Sequence, residues 1–216
     1  MTVRVVCISD THNQQRRLPK LPDGDVLVHA GDFTLKGTQK EILDFNDWLG
    51  EQDHPYKVVI PGNHEFAFQE SWWTARAWLS NADYVLKDQG CEVMGKKLWG
   101  SPYTPEFRGW AFGYGAREGE VRWSQIPEGL DLLITHGPPH TIFDAVLNKQ
   151  TKALEHYGCP GLLREVVRAK PKFHVFGHVH EGYGRGRFHG VEAANVSQLD
   201  GQNQIDVCRA PVVVDL

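Results

Sequence analysis

A chain of 216 residues, 41% of them hydrophobic, is long enough to bury the core of a large α/β domain without disulfides, and one domain over residues 1–216 is expected. The net charge of −4 comes from scattered acids and bases with no long basic run, which argues against long nucleic acid as a partner. Cys7, Cys91, Cys159 and Cys208 form no CxxC pair or dense framework, and no apolar run approaches the roughly 20 residues of a membrane helix, so a soluble, cytoplasmic protein with reduced thiols is expected.

Taken in chain order, short β-branched runs end again and again in glycine or small polar clusters. The first, "VRVVCIS", closes at "DTHN"; the second, "DVLVHAGD", closes at Gly31 and Asp32. In "TQKEILDFNDWL", Thr38 and Glu41 form a capping-box pair, and Ile42, Phe45 and Leu49 recur at helical spacing, which predicts a helix. "YKVVIPGNHE" follows as the third strand, completing a strand, helix, strand unit. Trp72, Trp73 and Trp78 read as helix packing rather than a base-stacking platform. The stretch 100–119, "GSPYTPEFRGWAFGYGAREG", reads as an irregular loop that covers something. Beyond it come the strand "LDLLITHG", a helix "PGLLREVVRA" ended by Lys170 and Pro171, the run "KFHVFGHVH", and strands "GVEAANVS" and "APVVVDL". The glycine-rich "GYGAREG" and "GYGRGRFHG" do not sit between a strand and a helix as a dinucleotide fingerprint requires, and both are assigned to turns.

The polar residues at these strand ends form a coherent inventory: Asp10, His12, Asp32, Asn63, His64, His136, His178 and His180. Carboxylate and amide oxygens combined with imidazoles, and no thiolates, suit manganese, iron or zinc better than a structural cysteine-bound zinc. In parallel α/β sheets ligands gather beyond the carboxyl ends of the strands, so these distant residues are expected to converge. His29, His54, His156, His174 and His189 read as ordinary buried or surface histidines, and Cys7 as buried strand filler.

Five blocks in order, "SDTH" (9–12), "GDFTLKG" (31–37), "GNHE" (62–65), "THG" (135–137) and "GHVH" (177–180), resemble the signature of the calcineurin-like metallophosphoesterases. "GDFT", "GSPYTP" and "THGPP" together resemble the small metallophosphoesterase-domain-containing phosphodiesterases, some animal members of which carry glycine where His178 stands here. The resemblance implies a two-sheet α/β/β/α sandwich with a dinuclear metal site at the loop edge. It places one metal on Asp10, His12, Asp32 and His180, and the second on Asp32, Asn63, His136 and His178. Manganese is the first choice, iron or zinc the alternatives. Two dications about 4 Å apart need a shared anion, which the bridging Asp32 and a bridging hydroxide nucleophile would supply. His64 then contacts phosphate and protonates the leaving oxygen, with Glu65 or another acid orienting it.

Arginines of the kind that grip a dianionic monoester in protein phosphatases are missing from "GDFTLKG" and "PGNHE", although Arg108, Arg117 or Arg185 are within the chain to reach in. A singly charged diester is therefore favoured over a monoester, and the resemblance implies small-molecule nucleotides, 2′,3′-cyclic ones in particular, or aryl diesters. Asn63, His64, Trp110, Phe112 and His140 are the candidate substrate contacts. Two other classes compete: a partner-binding module on the same fold, as in the retromer subunit, against which the complete ligand set argues, and a (β/α)₈ amidohydrolase or deaminase, in whose scheme "GNHE" has no place.

Overall fold

The computed structural model describes residues 1–216, apart from the side chain of Ala116. The strands in chain order are β1 (Arg4–Ile8), β2 (Val26–Ala30), β3 (Tyr56–Ile60), β4 (Tyr84–Val85), β5 (Gln89–Val93), β6 (Lys96–Ser101), β7 (Thr104–Pro105), β8 (Gly113–Tyr114), β9 (Leu132–Thr135), β10 (Ala145–Leu147), β11 (Leu154–His156), β12 (Phe173–Phe176), β13 (Gly184–Phe188), β14 (Val191–Asn195) and β15 (Val212–Asp215). The helices are α1 (Gln39–Gly50), α2 (Phe66–Glu70), α3 (Trp72–Trp78), α4 (Ala116–Trp123) and α5 (Pro160–Ala169).

Two sheets stack face to face, in the orders β15-β1-β2-β3-β4 and β13-β14-β12-β9-β6-β5. Their inner strands are parallel, with β15, β13 and β5 added antiparallel. The inner strands are buried on both faces, which is why they read as continuous apolar runs rather than alternating ones. Val5, Cys7, Val28 and Ile60 of the first sheet meet Leu132, Ile134 and Val175 of the second between the layers. On the outer face of the first sheet, Val6, Ile8 and Leu27 pack on Ile42, Phe45 and Leu49 of α1. On the outer face of the second, Trp99 and Leu133 pack on Trp123 of α4 and on Leu162 and Val166 of α5. The layering is α/β/β/α, as the sequence implied.

The capping box forms: Glu41 N donates to Thr38 Oγ1, and Thr38 N donates to the Glu41 carboxylate at 2.9 Å. Cys159 caps α5, Pro160 occupies its first turn, and Lys170 ends it with a left-handed φ of 47°. Cys7 is fully buried in β1, where burial pushes its thiol up to about 12, so it stays an unreactive core filler. No helix among the described residues is long and apolar enough to cross a membrane.

Four sequence expectations need correction. Residues 100–119 are not one loop but hold the end of β6, the pair β7 and β8, and the start of α4. "GYGAREG" is accordingly not a turn, since it runs from β8 into α4. "GYGRGRFHG" is not a turn either: its core is β13, which pairs along its length with β14 as the sheet's edge. Of the tryptophans read as helix packing, Trp72 and Trp78 pack against the core but Trp73 is 81% exposed.

Candidate metal centre

All the parallel strands of both sheets deliver their carboxyl ends to one edge, and that edge collects the histidines and carboxylates. Asp10 and His12 follow β1, Asp32 follows β2, Asn63 follows β3, His136 follows β9, and His178 and His180 follow β12. Four of them take left-handed backbone: Asp10 at φ 53°, His12 at 42°, Asp32 at 57° and His178 at 68°. Such conformations are uncommon away from glycine and cluster at functional sites, because they turn the side chain back over the strand end. The glycines of the blocks are there for closeness. A Cβ on Gly62 would overlap Asp32 Oδ1, and one on Gly177 would overlap Ser9 Oγ and Asp10 Oδ2.

Ligand atoms of Asp10, His12 and His180 lie within 4.8 Å of one another, as do those of Asp32, His136 and His178. A third group of the same tightness, His12, Asp32 and His64, joins the two halves. Asp32 Oδ2 stands at the centre, 3.4 Å from His12 Nε2, 3.2 Å from His136 Nε2 and 3.9 Å from His64 Nε2. Asp10 Oδ1 is 3.6 Å from His180 Nε2, and Asn63 Oδ1 is 2.9 Å from His136 Nε2.

Hydrogen bonds around the edge fix which nitrogen each imidazole presents. His136 Nδ1 bonds the Ala30 carbonyl at 2.9 Å, and His64 Nδ1 bonds the Leu35 carbonyl at 2.7 Å, so both rings turn Nε2 toward Asp32. Asp10 accepts Ser9 Oγ at 2.5 Å and the His178 amide at 3.1 Å. Burial opposes charge on both carboxylates, yet they are held well below the usual carboxylate range, Asp10 by His180 and Asp32 by His136 and His64. Burial disfavours a charged His136 too, but Asp32 outweighs it and pushes the imidazole up to about 9. His178 lacks such a partner, and burial holds it neutral with a pKa of about 4.

This environment fits divalent cations. His12 Nε2 is buried with no hydrogen-bond partner, and a metal bond at that nitrogen would satisfy it. The donors are anionic or neutral oxygens and imidazole nitrogens, the mixture suited to borderline and hard dications.

Glu65 does not orient His64, contrary to expectation. It lies fully buried beneath the loops, where its carboxylate accepts Asp32 N at 3.0 Å, Thr34 N at 2.9 Å, Thr34 Oγ1 at 2.8 Å and Gly62 N at 2.5 Å. Burial and then the Asp32 charge push its carboxyl up to about 7, against those donors. The role assigned to Glu65 passes to the Leu35 carbonyl.

A cleft of about 420 Å³ opens over His12, Asp32, Asn63, His64, His178 and His180. Trp110 lines it with its ring centre 4.2 Å from that of His64, tilted by 30°. The backbone beside it is tied to the ligand loop, since Ala111 N donates to the Asn63 carbonyl at 3.0 Å. Gln14, Leu35, Phe107 and Asn203 also line the cleft and escaped the sequence reading. Phe112 must be withdrawn as a substrate contact: it is 1% exposed and packs edge-on against Tyr103 in the layer under the helices. His140 must be withdrawn as well. It pairs with His156 at a ring distance of 5.4 Å beside the buried Asp144, on the loop after β9, and is absent from the cleft lining.

A sandwich of two mainly parallel sheets with an Asp, Asn and His donor edge defines a metallophosphoesterase, and the chain belongs to the calcineurin-like phosphoesterase family, whose pattern matches residues 3–182. Members of this family are metal-dependent phosphoester hydrolases and generally use two divalent metals. Among its relatives, metallophosphoesterase domain-containing protein 1 of Homo sapiens is 40% identical over 206 residues, covering 84% of this chain and 61% of that protein. UPF0046 protein K07C11.7 of Caenorhabditis elegans is 37% identical over 219 residues, covering 94% and 72%. The chain thus spans less than two thirds of the human relative's length. TT1561 of Thermus thermophilus shares the fold at a TM-score of 0.64 with 14% identity, over 95% of this chain and 98% of that one.

Proposed function

We propose that this chain is a dinuclear metal-dependent phosphodiesterase acting on small organic diesters, with 2′,3′-cyclic nucleotides and aryl diesters among them. The observation that carries the reading is the double donor set sharing Asp32 beneath a cleft whose lining, among the described residues, contains no lysine or arginine. Arg108 lies over Phe107 at 4.9 Å, and Arg185 is held by the Val213 carbonyl and Glu192, so neither forms the fork that a dianionic monoester calls for.

In this proposal Asp10, His12, Asp32 and His180 hold one metal and Asp32, Asn63, His136 and His178 the other, with manganese preferred over iron or zinc. When bound, such a pair supplies positive charge to the phosphoryl oxygens and lowers the pKa of the attacking water toward about 7. Asp32 offsets the repulsion between two cations, and Asn63 contributes an oxygen without adding charge. His64, fixed through Nδ1 on Leu35, directs Nε2 into the cleft and delivers a proton to the departing ester oxygen. Trp110 supports that ring from one face and offers a stacking surface for a base or aryl arm.

Metal analysis of protein purified without chelator, followed by rates on a panel of diesters and monoesters, tests the reading; faster turnover of monoesters overturns it. His64→Ala should slow diesters with poor alkoxide leaving groups by about 10²–10⁴-fold and p-nitrophenyl diesters far less. Equal losses for both, at unchanged metal content, would make His64 a phosphate-binding group, and a change confined to metal content would make it a ligand. His178→Gly suits the backbone at φ 68°, so the fold should persist while one metal is lost and the other stays. Two metals per chain in that variant would contradict the ligand assignment.

A further inference from the structure

Past Phe107 and His178, which form a shared wall, the metal cleft leads into a second recess of about 280 Å³. Val146 and Val179 give it an apolar floor, and Phe107 and Tyr157 line it although they remain 45% and 41% exposed. Glu106 and Glu181 border the same space. Neither carboxylate has an ion-pair partner among the described residues, and no lysine or arginine lines the recess. The Arg108 guanidinium stands over the Phe107 ring at 4.9 Å, so the mouth balances two carboxylates against one cation, and the ring has a cation for a neighbour already.

We propose that this recess is the subsite for the second arm of a linear phosphodiester and that it selects an arm ending in a substituted ammonium group. The proposal rests on the phosphodiesterase reading of the metal centre. Asp32 and Trp110 line the cleft, and the recess adjoins it at Phe107 and His178 without Trp110 in its lining, so a diester with two separate arms can occupy both spaces, whereas a monoester leaves one empty. The charge then decides which arm. A second phosphate would meet Glu106 and Glu181 in repulsion, and a plain alkyl arm would strip water from both carboxylates without replacing it. An alkylated ammonium places its charge against the two carboxylates and the Tyr157 ring, and its methyl groups on the two valines and the edge of Phe107.

Manganese-loaded protein is compared on p-nitrophenyl phosphorylcholine and p-nitrophenyl 3,3-dimethylbutyl phosphate. These share a leaving group and a shape and differ only in a quaternary nitrogen replaced by carbon. In each, water adds its oxygen to phosphorus, the bond to the aryl oxygen breaks, and p-nitrophenolate and a phosphomonoester are released. A cation held by an aromatic ring and exposed carboxylates predicts a kcat/KM ratio of about tenfold in favour of the choline diester. The ratio should fall to about one in the Glu106→Gln, Glu181→Gln double variant at unchanged metal content. A ratio near one in the parent protein, or one that survives the double variant, overturns the subsite while leaving the diesterase reading intact. If neither ester is hydrolysed, the diesterase reading fails, and calorimetric titration with phosphorylcholine and 3,3-dimethylbutyl phosphate decides the recess on its own: a preference for phosphorylcholine lost in the double variant supports it, and equal binding overturns it.

Discussion

Replacing Asp32 by alanine is expected to lower diester turnover by about a thousandfold or more and to strip metal from both halves of the site. Its Oδ2 is within 3.9 Å of His12, His64 and His136, and its Oδ1 accepts the His64 amide at 2.9 Å, so one side chain reaches a residue of each half of the centre. With the carboxylate gone, two cations would face each other without a shared anion. The lost stabilisation of transition-state charge, taken as about 4 kcal/mol, converts to roughly 10³ in rate. Because Asp32 adopts a left-handed φ of 57°, alanine also adds backbone strain, and Asp32→Asn separates the two effects. Asparagine tolerates that conformation and keeps an acceptor for the His64 amide, but brings no charge. Both variants should therefore lose metal by elemental analysis and lose turnover, and when chelator-treated proteins are compared only the alanine variant should fall below the parent in thermal stability. Near-native turnover with two metals retained in either variant contradicts the shared-ligand assignment.

The metal edge was legible in the sequence because its residues do two jobs at once. Asp10, Asp32, Asn63, His136 and His178 end strands with largely apolar interiors, so a polar group appears there as a break in a hydrophobic run, and all but Asp10 stand beside a glycine in close contact with its surroundings. The same logic explains the helices: Ile42, Phe45 and Leu49 are fully buried along one face of α1. What failed to show had no such contrast. In β13 the arginines at 185 and 187 alternate with glycines on a sheet edge, so the strand has no apolar period and reads as a flexible turn. In α4, among the described residues, the large buried residue is Trp123 at the last position, while Val121 is 69% exposed and four of the eight positions are charged. Phe112 and Trp110 are two residues apart and both aromatic, yet one faces the core and the other the cleft, a difference set by the left-handed φ of 55° at Phe112 rather than by residue type. The recess beyond Phe107 joins residues from 105 to 181, and no local pattern announces such a meeting.

Glu65 offers the second large effect, on stability and assembly of the site. It stands within a signature block, which invites a chemical role, but its carboxylate reaches no imidazole. Instead it gathers the amides of Asp32, Thr34 and Gly62 and the Thr34 hydroxyl, four donors from the loops after β2 and β3. Each buried donor left without an acceptor costs roughly 1 kcal/mol or more, whereas deletion of the carboxylate relieves its repulsion with Asp32, so Glu65→Ala should destabilise the metal-free protein by about 3 kcal/mol. Glu65→Gln keeps the shape and one acceptor oxygen but turns an amide N–H toward donors, and should lie between alanine and the parent. Urea unfolding of chelator-treated protein, read by tryptophan fluorescence, gives the midpoints. Metal titration of the folded variants gives a second readout, because Asp32 and Asn63 sit on the two loops that Glu65 joins, and affinity at both sites should drop by about 10–100-fold, the range for a lost supporting hydrogen bond. An unchanged midpoint together with unchanged metal affinity would show that the two loops hold their places without this carboxylate.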